Sequence, residues 1–175
     1  MTCIVGIEQD GKVFIGGDSS ASTQETMNLT SIEKVFRNGR FVIGFTSSFR
    51  MGQILRYGID FPIAEVYDEA YMVRQFVETV RVRFRELGFS KIESNEETGG
   101  DFLVGVDGKI WHVSSDFQVN RYRDGLYAIG SGATYALGAM KALDAIETVE
   151  RLTKALEISA YYSPWVKPPF IVLEN

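Results

Sequence analysis

Three times along this chain, two short apolar runs meet at a dipeptide ending in glycine, and that pattern limits the fold more than any other. TCIVGIEQ (2–9) and KVFIGGD (12–18) flank Asp10-Gly11; residues 34–37 and 40–45 flank Asn38-Gly39; residues 102–106 and 109–113 flank Asp107-Gly108. Asp-Gly and Asn-Gly suit the two-residue turns whose central positions need positive φ, so each pair reads as a β-hairpin. Residues 117–122, 126–129 and 170–173 read as further strands. The chain is therefore expected to build antiparallel sheets rather than a parallel one.

Helices fill the intervals. Residues 48–58 suit a short helix. From Val66 the positions Val66, Ala70, Val73, Val77, Val80, Phe84 and Leu87 step by four and three, which predicts one long helix with a single buried stripe, ended by Gly88. Residues 19–31 and 90–100 are polar and read as loops, the first with room for a minor strand. Tyr127-Ala128-Ile129 runs through Gly130-Ser131-Gly132 into an alanine-rich helix predicted to reach about residue 146, with Ser131 as its default N-cap. A further helix is expected from Thr148 as N-cap until Pro164, Pro168 and Pro169 break it. Hairpins alternating with helix pairs predict an α+β fold: a four-layer αββα sandwich of two antiparallel sheets, with residues 1–175 as one domain.

Composition removes several functions. With 18 basic against 23 acidic side chains the net charge is −5, which argues against nucleic acid or an anionic membrane as the main partner. One cysteine and one histidine exclude a disulfide framework and argue against a zinc site; no metal or cofactor is expected. A Ser-His-Asp triad would have to use His112, which reads instead as a strand residue with a neutral hydrogen-bonded or exposed side chain. No charged segment precedes an apolar run at the start, and no window reaches the roughly 18 apolar residues of a membrane span, so a cytoplasmic protein is expected.

The first hairpin also gathers chemistry. A hydroxyl nucleophile needs a base, and if Met1 is trimmed Thr2 carries both a hydroxyl and a free α-amine. In a two-stranded hairpin the end of the second strand returns beside the start of the first, which brings Asp18 near Thr2. The second hairpin sets Lys34 and Gly44 side by side at one edge. Taken singly, Lys34 would pass for a solvated strand lysine and Gly44 for a bulge.

Together these residues carry a resemblance. The chain resembles proteasome β-type subunits and most of all the bacterial HslV peptidases, of the N-terminal-nucleophile hydrolase class. In that family the functional aspartate and lysine follow the terminal threonine by 16 and 32 residues, and here Thr2 plus 16 is Asp18 and Thr2 plus 32 is Lys34. Gly16-Gly17-Asp18, Lys34-Val35, Ile43-Gly44-Phe45 and Gly130-Ser131-Gly132 with Tyr135-Ala136 resemble the family's motifs in the same order. The resemblance implies a threonine-type endopeptidase acting on peptides or unfolded polypeptides within a homo-oligomeric ring fed by an ATP-dependent unfoldase. It implies Thr2 as nucleophile, Lys34 held by Asp18 as its electrostatic partner, the Gly44 N–H as oxyanion donor and Ser131 as a hydrogen-bonding group near the amine. Cys3 would break both spacings as a nucleophile.

One departure keeps a second function class open. The family's late-helix acid has no counterpart in Ser159-Ala160-Tyr161-Tyr162-Ser163, where only Ser159 or Ser163 can offer polar support. A catalytically silent structural or assembly protein with Met1 retained fits that departure, and an amidase on a small amide is a third reading. Around the cleft Ser20, Thr46 and Ser47 are small and polar and indicate no preferred side chain before the cut.

Overall fold

In the computed structural model, which describes residues 1–22 and 25–175, all three hairpins form. β1 (Cys3–Gln9) and β2 (Lys12–Gly17) close across Asp10 and Gly11, at φ 52° and 73°. Both central residues are left-handed, as a type I′ turn requires. β3 (Ser20–Ser22) and β4 (Met27–Leu29) pair within the stretch read as a loop. Thr23 and Gln24 of that stretch lie outside the described residues. β5 (Val35–Asn38) and β6 (Phe41–Phe45) pair Asn38 with Phe41, so the turn is centred on Gly39 and Arg40, one residue later than expected. Only Gly39 has positive φ (57°), which matches a type II′ turn with glycine first.

α1 (Phe49–Tyr57) starts at Ser48, whose Oγ accepts from Met51 N–H at 3.4 Å. The long helix begins later and differently than its apolar stepping predicts. Asp68 caps α2 (Glu69–Tyr71), a π-helical turn spans Met72–Phe76, and α3 (Val77–Glu86) completes it. Val66 lies before the helix at 61 % exposure. The π turn widens the spiral by one residue, which rotates the buried face. Met72 and Phe76 turn inward while Val73 stays 46 % exposed.

β7 (Lys91–Glu93) and β8 (Glu96–Thr98) form a hairpin over Ser94 and Asn95, another stretch read as loop. β9 (Phe102–Val106), β10 (Lys109–Val113), β11 (Val119–Asn120) and β12 (Leu126–Gly130) follow. α4 (Ala133–Ala142) ends four residues short of the expected point. Its N-cap is Gly132 rather than Ser131, whose hydroxyl is engaged elsewhere. α5 (Thr148–Tyr162) is capped by Glu147, which accepts from Glu150 N–H at 3.0 Å; Thr148 instead donates to Gln9. β13 (Ile171–Glu174) closes the first sheet.

The strands make two main sheets, ordered β12-β1-β2-β13 and β11-β10-β9-β6-β5. Alternation of side chains along each strand then supplies three apolar layers. Cys3, Val5 and Ile7 face α4 and α5; Ile4, Val13, Ile15, Val35, Val42 and Leu103 fill the space between sheets; Phe41, Ile43 and Phe45 face α1 to α3. The result is the αββα sandwich. One polar staple crosses between the sheets: Glu8 Oε1 on β1 accepts from Ile110 N–H at 2.6 Å on β10 and from Tyr127 OH at 3.0 Å. Among the described residues no helix is long and apolar enough to cross a membrane.

Candidate active site

β1 begins one residue after Thr2, so the sheet fixes the threonine backbone from both sides. The hairpin register pairs Ile4 with Gly17, and Asp18 N–H donates to Cys3 O at 3.3 Å. On the other flank Cys3 pairs with Gly130 of β12, and the chain turning into α4 reaches Thr2. Thr2 N–H donates to Ser131 Oγ at 3.3 Å, while Thr2 O accepts from Ser131 Oγ and Gly132 N–H, each at 3.3 Å. Thr2 is 5 % exposed.

Asp18 and Lys34 form the charged heart of this end of the sandwich. Lys34 Nζ donates to Asp18 Oδ1 at 2.9 Å, with the residues 3 % and 2 % exposed. Asp18 Oδ1 also accepts from Cys3 N–H at 3.0 Å, and Oδ2 accepts from Ser20 N–H at 3.0 Å. A carboxylate so supplied with donors is held in place. Burial lowers the Lys34 pKa from its ordinary value, and the Asp18 charge and hydrogen bond oppose that shift. Lys34 Nζ is thus held by one carboxylate, with Ser20 Oγ 3.5 Å away.

Sequence reasoning missed the outer support of this pair. The proline-rich segment after α5 folds behind Asp18: Lys167 N–H lies 3.4 Å from Oδ2, Ser19 N–H donates to Lys167 O at 3.0 Å, and Ser19 Oγ donates to Pro169 O at 2.6 Å. Ser20 Oγ lies 2.5 Å from both Asp18 Oδ2 and Trp165 O, two acceptors for its single proton. These partners sit some 145 to 150 residues apart in sequence, and no local pattern announces them.

Thr2 and Lys34 line one small cavity of about 70 Å³ with Met1, Ser22 and residues 45–49. The amine of Met1, the residue before Thr2, donates to Ser22 Oγ at 3.0 Å. Burial lowers that amine's pKa, the Lys34 charge lowers it further, and Asp18 acts in the opposite sense. Gly44 does not face this cavity. Its register pairs it with Leu103 of β9, and a Cβ there would fall 2.6 Å from Ile4 Cγ2 in the layer between the sheets.

In place of the absent acid, the buried Ser159 Oγ donates to Gly132 O at 3.1 Å and lies 3.7 Å from Cys3 Sγ. Gly132 in turn holds Thr2 O. Ser163 is buried, but its backbone bonds are to Ser159 and Val166. Burial, partly countered by the Ser159 hydrogen bond, pushes the Cys3 thiol up to about 12, so it stays protonated and unreactive. His112 is hydrogen-bonded on both nitrogens, to Asp101 Oδ1 at 2.5 Å and Tyr122 OH at 2.8 Å, and lies outside the cavity that Thr2 lines.

The ATP-dependent protease subunit HslV of Caldicellulosiruptor saccharolyticus is 28% identical to this sequence over 189 residues, covering 99% of this chain and 97% of the relative. The chain is HslV-like over its whole length. Among solved structures, Thiobacillus denitrificans BPH in complex with epoxomicin superposes with TM-score 0.81 at 20% identity, covering 99% of this chain and 98% of that one. Eukaryotic HslV from Trypanosoma brucei gives TM-score 0.70 at 21% identity, with coverage of 99% and 98%. Both show the same fold as this HslV-like chain. No family model matches it.

Proposed function

We propose that this HslV-like chain is a threonine-type endopeptidase whose nucleophile is Thr2, freed by removal of Met1. The observation that carries the reading is the buried Asp18–Lys34 pair opening on the same cavity as Thr2. Burying two charges costs several kcal/mol, which a scaffold gains nothing by retaining at a cavity wall. In the reaction Thr2 Oγ attacks the peptide carbonyl carbon while its proton passes to the α-amine of the same residue. The tetrahedral intermediate collapses to an ester on Thr2, the C–N bond breaks, and the proton leaves with the departing amine. Water then attacks the ester and restores the hydroxyl. The Lys34 ammonium favours the developing negative charge and keeps the nearby amine neutral at moderate pH. Peptides or unfolded polypeptides are the substrates, the working form is a self-assembled ring, and an ATP-driven unfoldase is the partner, as the family resemblance implies; the HslV relative is described as an ATP-dependent protease subunit.

A second reading, a catalytically silent assembly protein, is favoured by the lack of a carboxylate in residues 159–163. With Met1 attached, the Thr2 nitrogen is an amide and has no basic lone pair. Intact mass of the purified protein before and after treatment with a peptide epoxyketone separates the two. Loss of Met1 and a single adduct on Thr2 supports the peptidase; retained Met1 with no adduct sinks it.

A further inference from the structure

The one histidine of the chain stands outside the cavity, yet two hydrogen bonds in series join it to the cavity wall. Residues 46–48 form that wall beside Thr2 and Lys34. They make a γ-turn of the positive-φ kind, with Ser47 at φ 69° and Ser48 N–H donating to Thr46 O at 2.8 Å. Such a turn is strained for a residue with a side chain and persists only where its surroundings hold it. After it, Ser48 caps α1. Before it, the β6–β9 ladder ends at the Phe45–Phe102 pair, and one further bond on that side, from Thr46 N–H to Asp101 O at 3.0 Å, ties the turn to β9.

The last rung of a sheet opens most easily, so what fixes Asp101 fixes the wall. Asp101 follows Gly99 and Gly100, and its own side chain is the first that can anchor this end of β9. The anchor comes from β10. Ile110 faces the layer between the sheets, and His112, two residues on, shares that face. His112 Nε2 lies 2.5 Å from Asp101 Oδ1, and Nδ1 lies 2.8 Å from Tyr122 OH. A carboxylate only accepts, so Nε2 carries the proton and Nδ1 accepts from the phenol. Tyr122 is secured in turn by its backbone N–H, which donates to Tyr127 OH at 3.1 Å. The imidazole is therefore oriented from one side and spends its single N–H on Asp101.

We propose that His112 is a positioning residue for the peptidase reaction, an inference that rests on the peptidase reading. Through Asp101 it holds Thr46, and so sets where the 46–48 wall places the substrate carbonyl against Thr2 Oγ. Nothing in the sequence around His112 announces this, because the three residues are joined only across neighbouring strands.

The test measures turnover per site that takes a peptide epoxyketone, so that any loss of folded protein drops out. His112→Ala removes the donor and is expected to lower kcat about 10²-fold, the cost of a displacement near 1 Å in a reacting pair, with KM nearly unchanged. His112→Gln offers an amide N–H in the place of Nε2 and is expected to return to within about tenfold of the parent. An alanine variant with the parent's turnover per site, or a glutamine variant no better than alanine, overturns the assignment and leaves the peptidase standing. A second measurement needs no variant to fold. Coupling between two sites is reciprocal, so filling the cavity has to reach the imidazole. With one histidine in the chain, its ring 15N and proton NMR signals are unambiguous, and they should move when the parent protein takes the epoxyketone on Thr2. Signals that stay in place with the adduct formed overturn the assignment. A parent protein that neither turns over peptide nor takes an adduct at Thr2 overturns both.

Discussion

Asp18 is the residue on which most of the site converges, since both of its oxygens are engaged and it forms an ion pair with buried Lys34. Asp18→Asn would strand that ammonium without a counter-ion. The expected cost is about 3–5 kcal/mol of unfolding free energy, read by urea denaturation, because breaking a buried pair leaves the second charge uncompensated. Lys34 also sets the pH at which a freed Thr2 amine can act. The positive charge and the buried setting that depress the Met1 amine would act on that amine too, so its pKa falls below the ordinary value of about 8. The base is neutral above its pKa. Activity should therefore rise with pH through a midpoint below about 8, checked by the pH profile of kcat/KM on a short peptide, and a midpoint above that value would remove Lys34 from the role given to it. The β1–β2 hairpin alone brings Asp18 beside Thr2, whereas Lys34 stands out in the sequence only through its spacing in the family resemblance. Ser20 and the 165–169 segment could not, since a backbone carbonyl offers its oxygen whatever its side chain.

At the scale of elements, turns dominated by local sterics were legible and helix faces were not. Asp10-Gly11 and Asp107-Gly108 need positive φ, and both glycines have it, at 73° and 70°. Ser94 and Asn95 make the same kind of turn at φ 52° and 68° without a glycine, and so passed as loop. The four-and-three stepping from Val66 assumes an unbroken α spiral. The π turn at Met72–Phe76 adds a residue to one turn, and everything N-terminal to it shifts around the axis. Two truncations measure that shift. Met72→Ala should cost about 2–5 kcal/mol by opening a cavity beneath fully buried neighbours, while Val73→Ala should stay within about 0.5 kcal/mol. The stepping alone ranks them the other way, and thermal unfolding of the two variants decides between the faces.

Across the whole molecule, glycines set how close the two sheets come and so where the site residues meet. A Cβ on Gly17 would lie 2.9 Å from Val35 Cγ2, one on Gly44 2.6 Å from Ile4 Cγ2, and one on Gly105 2.7 Å from Val13 Cγ2. These glycines come from both sheets, and each of these contacts crosses to the other sheet. Ile4 is two residues after Thr2, at the start of β1, whereas Lys34 immediately precedes β5 of the opposite sheet, so the two sheets carry the two sides of the cavity that Thr2 and Lys34 line. Gly44→Ala keeps every backbone N–H yet forces a methyl into that layer. It should destabilise by about 1–3 kcal/mol through overpacking, and lower kcat by pushing the sheets apart. If the cause is the collision with Ile4, the penalty shrinks when Ile4→Ala is already present, with a coupling of about 0.5–3 kcal/mol in a double-mutant cycle. Strict additivity would instead mean that Gly44 acts through its own backbone, and would return it to the cavity.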